Sequence, residues 1–377
     1  MTAAGQIILL PHDTTELDYS TLDIPDLGAP ACRWSRGILC HNTLAVTAAG
    51  EALGLAHQAV LCARRRPAKD TKSKSRTDPL KSSALWRDSP AAVGPTPPGC
   101  RWIHLADRGA DVTELLDDAD EHGREYVVRA KHDRNVEADG PGGPEPGRLL
   151  DFSRRLPAAA TRTQDVAHQV RRPARTAAVA VSWGRVRVIP PRQARGRERG
   201  VPLPVTVVRV WEPAPPAGVK PLEWVLLTNV AVVTAADAWE RADGYARRWA
   251  TEEFHECQKT GVGVERLELT TVRRLSNAIA VLSVVAVALL VLRDAARRAD
   301  AATTPARTAV PRLWVELLSR WRYGQARDLT VREWLLALGR LGGHQNAPSD
   351  GLPGWQTLWK GWGKLMTMLD GHRILNQ

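Results

Sequence analysis

The stretch Tyr245-Ala-Arg-Arg248-Trp-Ala-Thr-Glu252-Glu-Phe-His-Glu-Cys-Gln-Lys259 decides how this chain reads. It holds a Tyr, an Arg, a Glu and a Lys at relative positions 0, 3, 7 and 14. On an α-helix, at about 100° per residue, those four side chains fall within about 60° of one another. The opposite side carries Ala246, Ala250, Phe254 and Cys257, an apolar stripe at helical spacing that docks on a core. The spacing therefore predicts one helix, anchored on one face and presenting a carboxylate flanked by two cations and a phenol on the other. A carboxylate for a metal, with cations beside it for phosphates, is the equipment of phosphoryl transfer. Taken alone, the same face is more simply a solvated, salt-bridged helix exterior.

The pattern Tyr-x2-Arg-x3-Glu-x6-Lys resembles the signature of the insertion-sequence-four family of bacterial DDE transposases, of the transposon-five type. The surrounding residues from Arg248 to Gly261 are similar to that family as well. The resemblance implies two more carboxylates upstream, each at the end of a buried strand. Ile7-Ile-Leu-Leu10 leads into His12-Asp13-Thr14-Thr15-Glu16-Leu17, which resembles the family's first-aspartate block. Trp102-Ile-His-Leu-Ala-Asp107-Arg108-Gly109-Ala-Asp111 resembles the second, with an amphipathic helix after it through Val112, Leu115, Leu116 and Ala119. An Asp at a strand end is also a common turn or helix cap, and Asp111 is open to that reading. The three blocks in order imply a catalytic and metal-binding triad of Asp13, Asp107 and Glu252.

The same resemblance implies the fold and the partners. It is α/β: a ribonuclease-H-like catalytic domain over residues 1–300, with a β-rich insertion at about 133–232, and a C-terminal helical dimerisation domain over 301–377. Strand-like runs at Ala177 to Trp183, Val186 to Ile189, Val205 to Trp211 and Trp224 to Leu227 agree with the insertion. In the tail, Trp355, Trp359 and Trp362 form an aromatic stripe whose default reading is core packing, and the family uses its C-terminal helices for dimer contacts. The implied partner is double-stranded DNA, both transposon ends and target, held by a homodimer. The implied cofactor is Mg2+, with Mn2+ as a substitute. Two such ions about 3.5–4 Å apart serve an in-line displacement at phosphorus without a covalent enzyme intermediate. Cleavage, hairpin formation and strand transfer then follow at one site.

DNA contacts are assigned the same way. Trp224 aligns with a family Trp that stacks on a flipped base, although a strand Trp is more often core. Tyr245, Arg248 and Lys259 would grip the phosphates around that nucleotide. Arg129 and Lys131, in Tyr126-Val-Val-Arg-Ala-Lys-His132, match a DNA-contacting block, and strand alternation puts both on one face.

Composition agrees with a polyanionic partner: the formal net charge is +11. Arg64-Arg65-Arg66 and Lys69, Lys72 and Lys74 read as a basic loop suited to tracking phosphates. The five cysteines, Cys32, Cys40, Cys62, Cys100 and Cys257, form no CxxC pair and are odd in number, which argues against a zinc site or a disulfide framework and fits a reducing cytosol. The family resemblance implies a cytoplasmic, nucleoid-associated protein. Ala278 to Leu292 is almost wholly apolar, broken by Ser283. Its fifteen residues are short of the roughly 20 that span a bilayer, so a core helix buried on most sides is expected, and no membrane.

The sequence departs from the family at three places. Only twelve residues precede Asp13, where family members carry an end-recognition domain. Ser82-Ser-Ala-Leu-Trp86 is a degraded version of a family block, and Cys257-Gln258 replaces a basic-aromatic pair. The expectation is thus a transposase lacking its end-recognition domain. The alternative is a catalytically silent regulator that forms unproductive dimers with full-length transposase.

Overall fold

The apolar runs Ile7–Leu10, Trp102–Ala106, Val205–Trp211 and Trp224–Leu227 lie in strands of the computed structural model. It describes residues 6–25, 27–28, 36–62, 82–140, 143–167, 174–190, 201–347 and 349–376. The basic cluster at 64–74 and Cys32 lie outside the described residues. The elements begin with β1 (Ile7–Asp18), β2 (Gly37–Thr47), β3 (Ala52–Cys62) and α1 (Ser82–Val93). Next come β4 (Arg101–Ala106), α2 (Thr113–Glu121), β5 (Glu125–Arg129), β6 (Asn135–Gly140), β7 (Gly143–Arg148) and α3 (Leu149–Arg155). They continue with β8 (Ala160–Val166), β9 (Arg175–Val188), β10 (Leu203–Trp211), β11 (Glu223–Thr228), α4 (Ala235–Ala246) and α5 (Trp249–Glu256). The last four are α6 (Val272–Arg297), α7 (Arg312–Tyr323), α8 (Val331–Leu341) and α9 (Trp355–Leu375). The protein is mixed α/β. The chain divides into two compact units, Met1–Asp13 with Lys81–Arg248, and Thr14–Leu80 with Trp249–Gln377.

The first unit is built on a mixed sheet. β1 runs parallel to β4, and β4 parallel to β5, while β11, β10 and β9 follow as antiparallel neighbours. Ile8, Leu9, Leu10, Ile103, Leu105, Val127 and Val128 are all buried, the near-continuous apolar character of strands covered on both faces. The expected runs Ala177–Trp183 and Val186–Ile189 form one strand, β9, not two. Gly184 permits this: a Cβ there would lie 2.8 Å from the Phe152 ring of α3, so the glycine keeps the strand unbroken beneath that helix. Trp86, Leu116, Tyr126, Leu149, Val207 and Leu227 join one apolar cluster.

The second unit joins the antiparallel β2–β3 pair to the C-terminal helices. α8 starts on a capping box in which Thr330 and Glu333 bond each other's backbone N–H groups. α8 and α9 touch backbone to backbone at two glycines. A Cβ on Gly361 would sit 2.1 Å from the Leu338 carbonyl oxygen, and one on Gly342 would sit 1.9 Å from that of Thr357. Trp355 is buried and takes the Arg293 guanidinium over its ring at 4.2 Å, while Trp362 meets Trp314 edge-on at 5.1 Å. Core packing is therefore the observed role of both ends of the tryptophan stripe.

α6 differs from expectation. It is 26 residues long with mean hydropathy 2.6 over its most apolar window, yet only 39% of that window is buried. Leu275, Ile279, Ser283, Ala286, Leu290 and Ala296 face inward, while Val281 and Val284 are exposed. The run is apolar all round because its outer face is alanine and valine, so composition hid a one-sided helix.

Candidate active site

The two aspartates end up side by side because of strand register. In the β1–β4 ladder His12 is paired with Ala106, and Asp13 and Asp107 each follow by one residue. Neighbouring parallel strands run about 4.8 Å apart, so the two carboxylates leave equivalent positions. Asp107 follows the end of β4 as expected, but Asp13 lies within β1, which continues to Asp18 and does not end there. His12 Nε2 and His104 Nδ1, 2.8 Å apart and both buried, tie the same two strands together just beneath. Burial pushes the His104 imidazole down to about 3, with Arg124 adding to the effect, so it is neutral near pH 7.

Each aspartate has a partner. Asp13 Oδ2 accepts from Arg248 Nη1 at 2.9 Å, with both side chains less than one-fifth exposed. Asp107 caps a short 3-10 turn, Oδ1 accepting from the Gly109 N–H at 2.7 Å. Gly109 is needed there: a Cβ would meet Asp107 Oδ1 and the Trp86 ring, each at 2.9 Å. Trp86, from the block that reads as degraded, thus packs on the loop that carries Asp107.

Tyr245 belongs to the same cluster, but not on the face predicted. It is buried at the end of α4, with Ala246 exposed instead. Its ring lies 5.4 Å from that of Trp224 in a T-shaped pair. Burial raises its phenol above the usual range, and the cations of Arg248 and Arg129 oppose that shift. Arg129 donates from Nη2 to the Glu223 carbonyl at 3.1 Å. Burial holds its guanidinium below the usual arginine range; the Tyr245 phenol opposes this and Arg108 reinforces it.

Lys131 needs a correction. β5 ends at Arg129, so strand alternation does not extend to Lys131, and its exposed side chain is placed by the loop beyond. Asp111 sets that loop. Its fully buried carboxylate accepts from the N–H groups of Lys131 and His132 at 2.7 and 2.8 Å, and from Arg134 Nε at 2.8 Å. Sequence reasoning left Asp111 as a possible cap and missed Arg134; an Arg three residues past Lys131 was the available signal.

The predicted single helix is also corrected. α4 ends at Ala246 and α5 starts at Trp249, with Arg248 donating its N–H to the Tyr245 carbonyl in a tight turn. Beyond Glu256 the chain makes one π-helical turn, Cys257–Gly261, closed by the Val262 N–H on the Cys257 carbonyl at 2.8 Å. The four signature residues therefore do not share one face of one α-helix. Tyr245 and Arg248 lie in the first unit with Asp13, Asp107, Trp224, Arg129 and Lys131, whereas Glu252 and Lys259 lie in the second. There Glu252 is half-buried in the first turn of α5, and Lys259 Nζ is 3.7 Å from Glu265.

Among the described residues, no three His, Cys, Asp or Glu side chains converge as a metal cage. The donor chemistry of Asp13 and Asp107, hard carboxylate oxygens at equivalent positions of adjacent strands, nevertheless suits Mg2+ or Mn2+. An ion at Asp13 would compete with the Arg248 guanidinium.

A buried histidine in the second unit makes a pH prediction. His41 Nδ1 is 2.7 Å from Thr14 Oγ1, and burial pushes its imidazole down to about 3, with His57 and His255 adding to the shift. The unfolded chain takes up a proton near pH 6.5 that the folded chain refuses, so stability falls as pH drops through the window from about 6.5 towards 3. The expected slope approaches about 1.4 kcal/mol per pH unit from this residue, and melting against pH should be shallower in His41→Gln.

No family model matches the chain. Among solved structures, one that is similar is the cryo-EM structure of a piggyBac transposase synaptic complex with hairpin DNA, at 10% sequence identity and a TM-score of 0.38. The match covers 78% of this chain and 48% of that one, so this chain spans about half the length of the solved chain.

Proposed function

We propose that this chain is the catalytic part of a transposase of the insertion-sequence-four kind, cutting and joining DNA through Asp13, Asp107 and Glu252. The observation that carries the reading is the β1–β4 register, which supports a paired-carboxylate site at equivalent positions of two adjacent parallel strands. Glu252 is assigned from the signature alone. These three residues would hold Mg2+ or Mn2+, which when bound supplies charge neutralisation at the phosphoryl group and an activated water or 3′-hydroxyl.

The protein's own groups do the rest. Before an ion binds, the pair with Arg248 holds the Asp13 carboxylate in place, and the guanidinium that the ion displaces would provide a cation for a phosphate. Arg129 and Lys131 add positive charge beside it, and the Asp111 anchor fixes the loop from which Lys131 reaches out. Lys259 provides a further phosphate contact. Trp224, half-buried at the start of β11, offers a ring on which an unstacked base can rest, backed by Tyr245.

The test is cleavage of duplexes that carry the terminal repeats of the chain's own element. Mg2+-dependent nicking that EDTA stops is the expected result. DNA binding without cleavage in either Mg2+ or Mn2+ would favour the silent regulator instead.

Trp224→Ala should slow hairpin formation by about tenfold relative to the first nick, because stacking is worth roughly 1–3 kcal/mol per base. Trp224→Phe should recover most of the loss. Equal loss of both steps in Trp224→Ala would mark the side chain as a packing residue for Tyr245.

A further inference from the structure

Two residues that stand out in the sequence for their polarity, Gln258 and Ser283, are bonded to each other. Ser283 is fully buried on α6; its Oγ donates to the Ile279 carbonyl at 2.7 Å and accepts from Gln258 Nε2 and Gln58 Nε2, each at 2.8 Å. A serine hydroxyl offers one donor and two acceptor positions, so all three are used. Gln58 Nε2 also donates to Asn42 Oδ1 at 2.7 Å, and Asn42 Nδ2 lies 3.0 Å from His255 Nε2. With Oδ1 of Asn42 accepting from Gln58, its amide N–H donates to His255, which selects the imidazole tautomer protonated on Nδ1.

The chain of bonds links β2, β3 and α6 to the 249–261 segment at two points. One is His255, three residues after Glu252, and the other is Gln258, one residue before Lys259. Asn42, Ser283 and Gln258 are wholly buried, where polar groups are costly unless paired, and an apolar core would hold a helix here at less cost. What hydrogen bonds add is direction: apolar contacts tolerate rotation and sliding of a helix, and a bonded Gln–Ser–Gln–Asn–His series does not. The π-turn needs such a hold, since its wider ring is less favourable than continued α-helix. Cys257 Sγ, 3.6 Å from the Ala286 carbonyl, and Gly261, whose Cβ would lie 3.0 Å from that of Trp355, complete the inward side of the turn.

We propose that the His255–Asn42–Gln58–Ser283–Gln258 series is a positioning network. It sets the rotation of α5 and of the π-turn, and with them the directions in which Glu252 and Lys259 project. The importance of those two residues rests on the phosphoryl-transfer reading above; the fixing of the segment does not.

Ser283→Val and Ser283→Thr have the same shape and differ only in the hydroxyl, so they separate the network from packing. Hydrogen exchange on the full chain reads the fixing without any activity. Amides of 252–262 should exchange about tenfold faster in the Val variant than in the Thr variant, with α8 and α9 unchanged. Cleavage then reads the consequence: the Val variant should need several-fold more Mg2+ and cut about tenfold more slowly at unchanged KM for DNA, with the Thr variant near wild type. Equal exchange in the two variants overturns the proposal whether or not the protein cuts DNA. Faster exchange with equal cleavage also overturns it, by reducing the network to a structural one. A wild-type chain that never cleaves rejects the phosphoryl-transfer reading alone, and the exchange difference then decides by itself whether the network fixes the segment. Gln258→Leu removes the Gln258–Ser283 bond from the other end, leaving that of Gln58, and serves if the Val variant does not fold.

Discussion

Replacing Glu252 by Gln should lower Mg2+-dependent cleavage by roughly a thousandfold or more, about 4 kcal/mol of barrier at 1.36 kcal/mol per tenfold. In the proposed site, removing one of three carboxylate charges would weaken the hold on Mg2+, which when bound would supply charge neutralisation at the phosphoryl group. The fold should hardly notice. Gln is isosteric with Glu, the residue is half-buried, and the charge lost near the N-terminus of α5 is worth at most about 1 kcal/mol. Cleavage of labelled ends, with melting and DNA affinity measured on the same preparations, separates the two effects. A Gln variant that cuts at the wild-type rate would remove Glu252 from the triad.

The largest structural effect should follow Asp111→Ala. The Asp111 carboxylate is wholly buried and bonds two backbone N–H groups and a guanidinium that is itself only 10% exposed. Truncation strands all three donors, and breaking one side of a buried ion pair costs about 3–5 kcal/mol. A large drop in chemical-denaturation midpoint is expected, together with weaker DNA binding as the Lys131 loop loses its anchor. Asp111→Asn keeps the shape and one acceptor oxygen, and should lose less stability. If Asp111→Ala melts like wild type, the carboxylate is not an anchor and a role nearer the chemistry becomes the better account.

The strands that carry Asp13 and Asp107 were legible from the apolar runs Ile7–Leu10 and Trp102–Ala106, but only β4 stops at its charge; β1 runs on past Asp13 to Asp18, because backbone pairing does not require apolar side chains. Strand β9 was read as two runs because Gly184 looks like a break until Phe152 is seen against it. α6 was legible as a helix from length and hydropathy, but not as one with an open face. Burial depends on what packs nearby, and an all-apolar run carries no periodicity to announce it.

The sequence by itself determined the residue types, their order and the local elements: two aspartates following apolar strand runs, a charged helical segment with Tyr, Arg, Glu and Lys at set intervals, and a basic chain. These follow from short-range sterics and from apolar periodicity, which act over a few residues. Only the tertiary structure decided partners and faces. Arg248 turns to Asp13, 235 positions away, because the helix breaks before it; Tyr245 goes inward onto Trp224; Gln258 and Ser283 find each other within a core. Such choices come from desolvation and pairing of polar groups brought together from distant parts of the chain, and no spacing rule along the sequence encodes them.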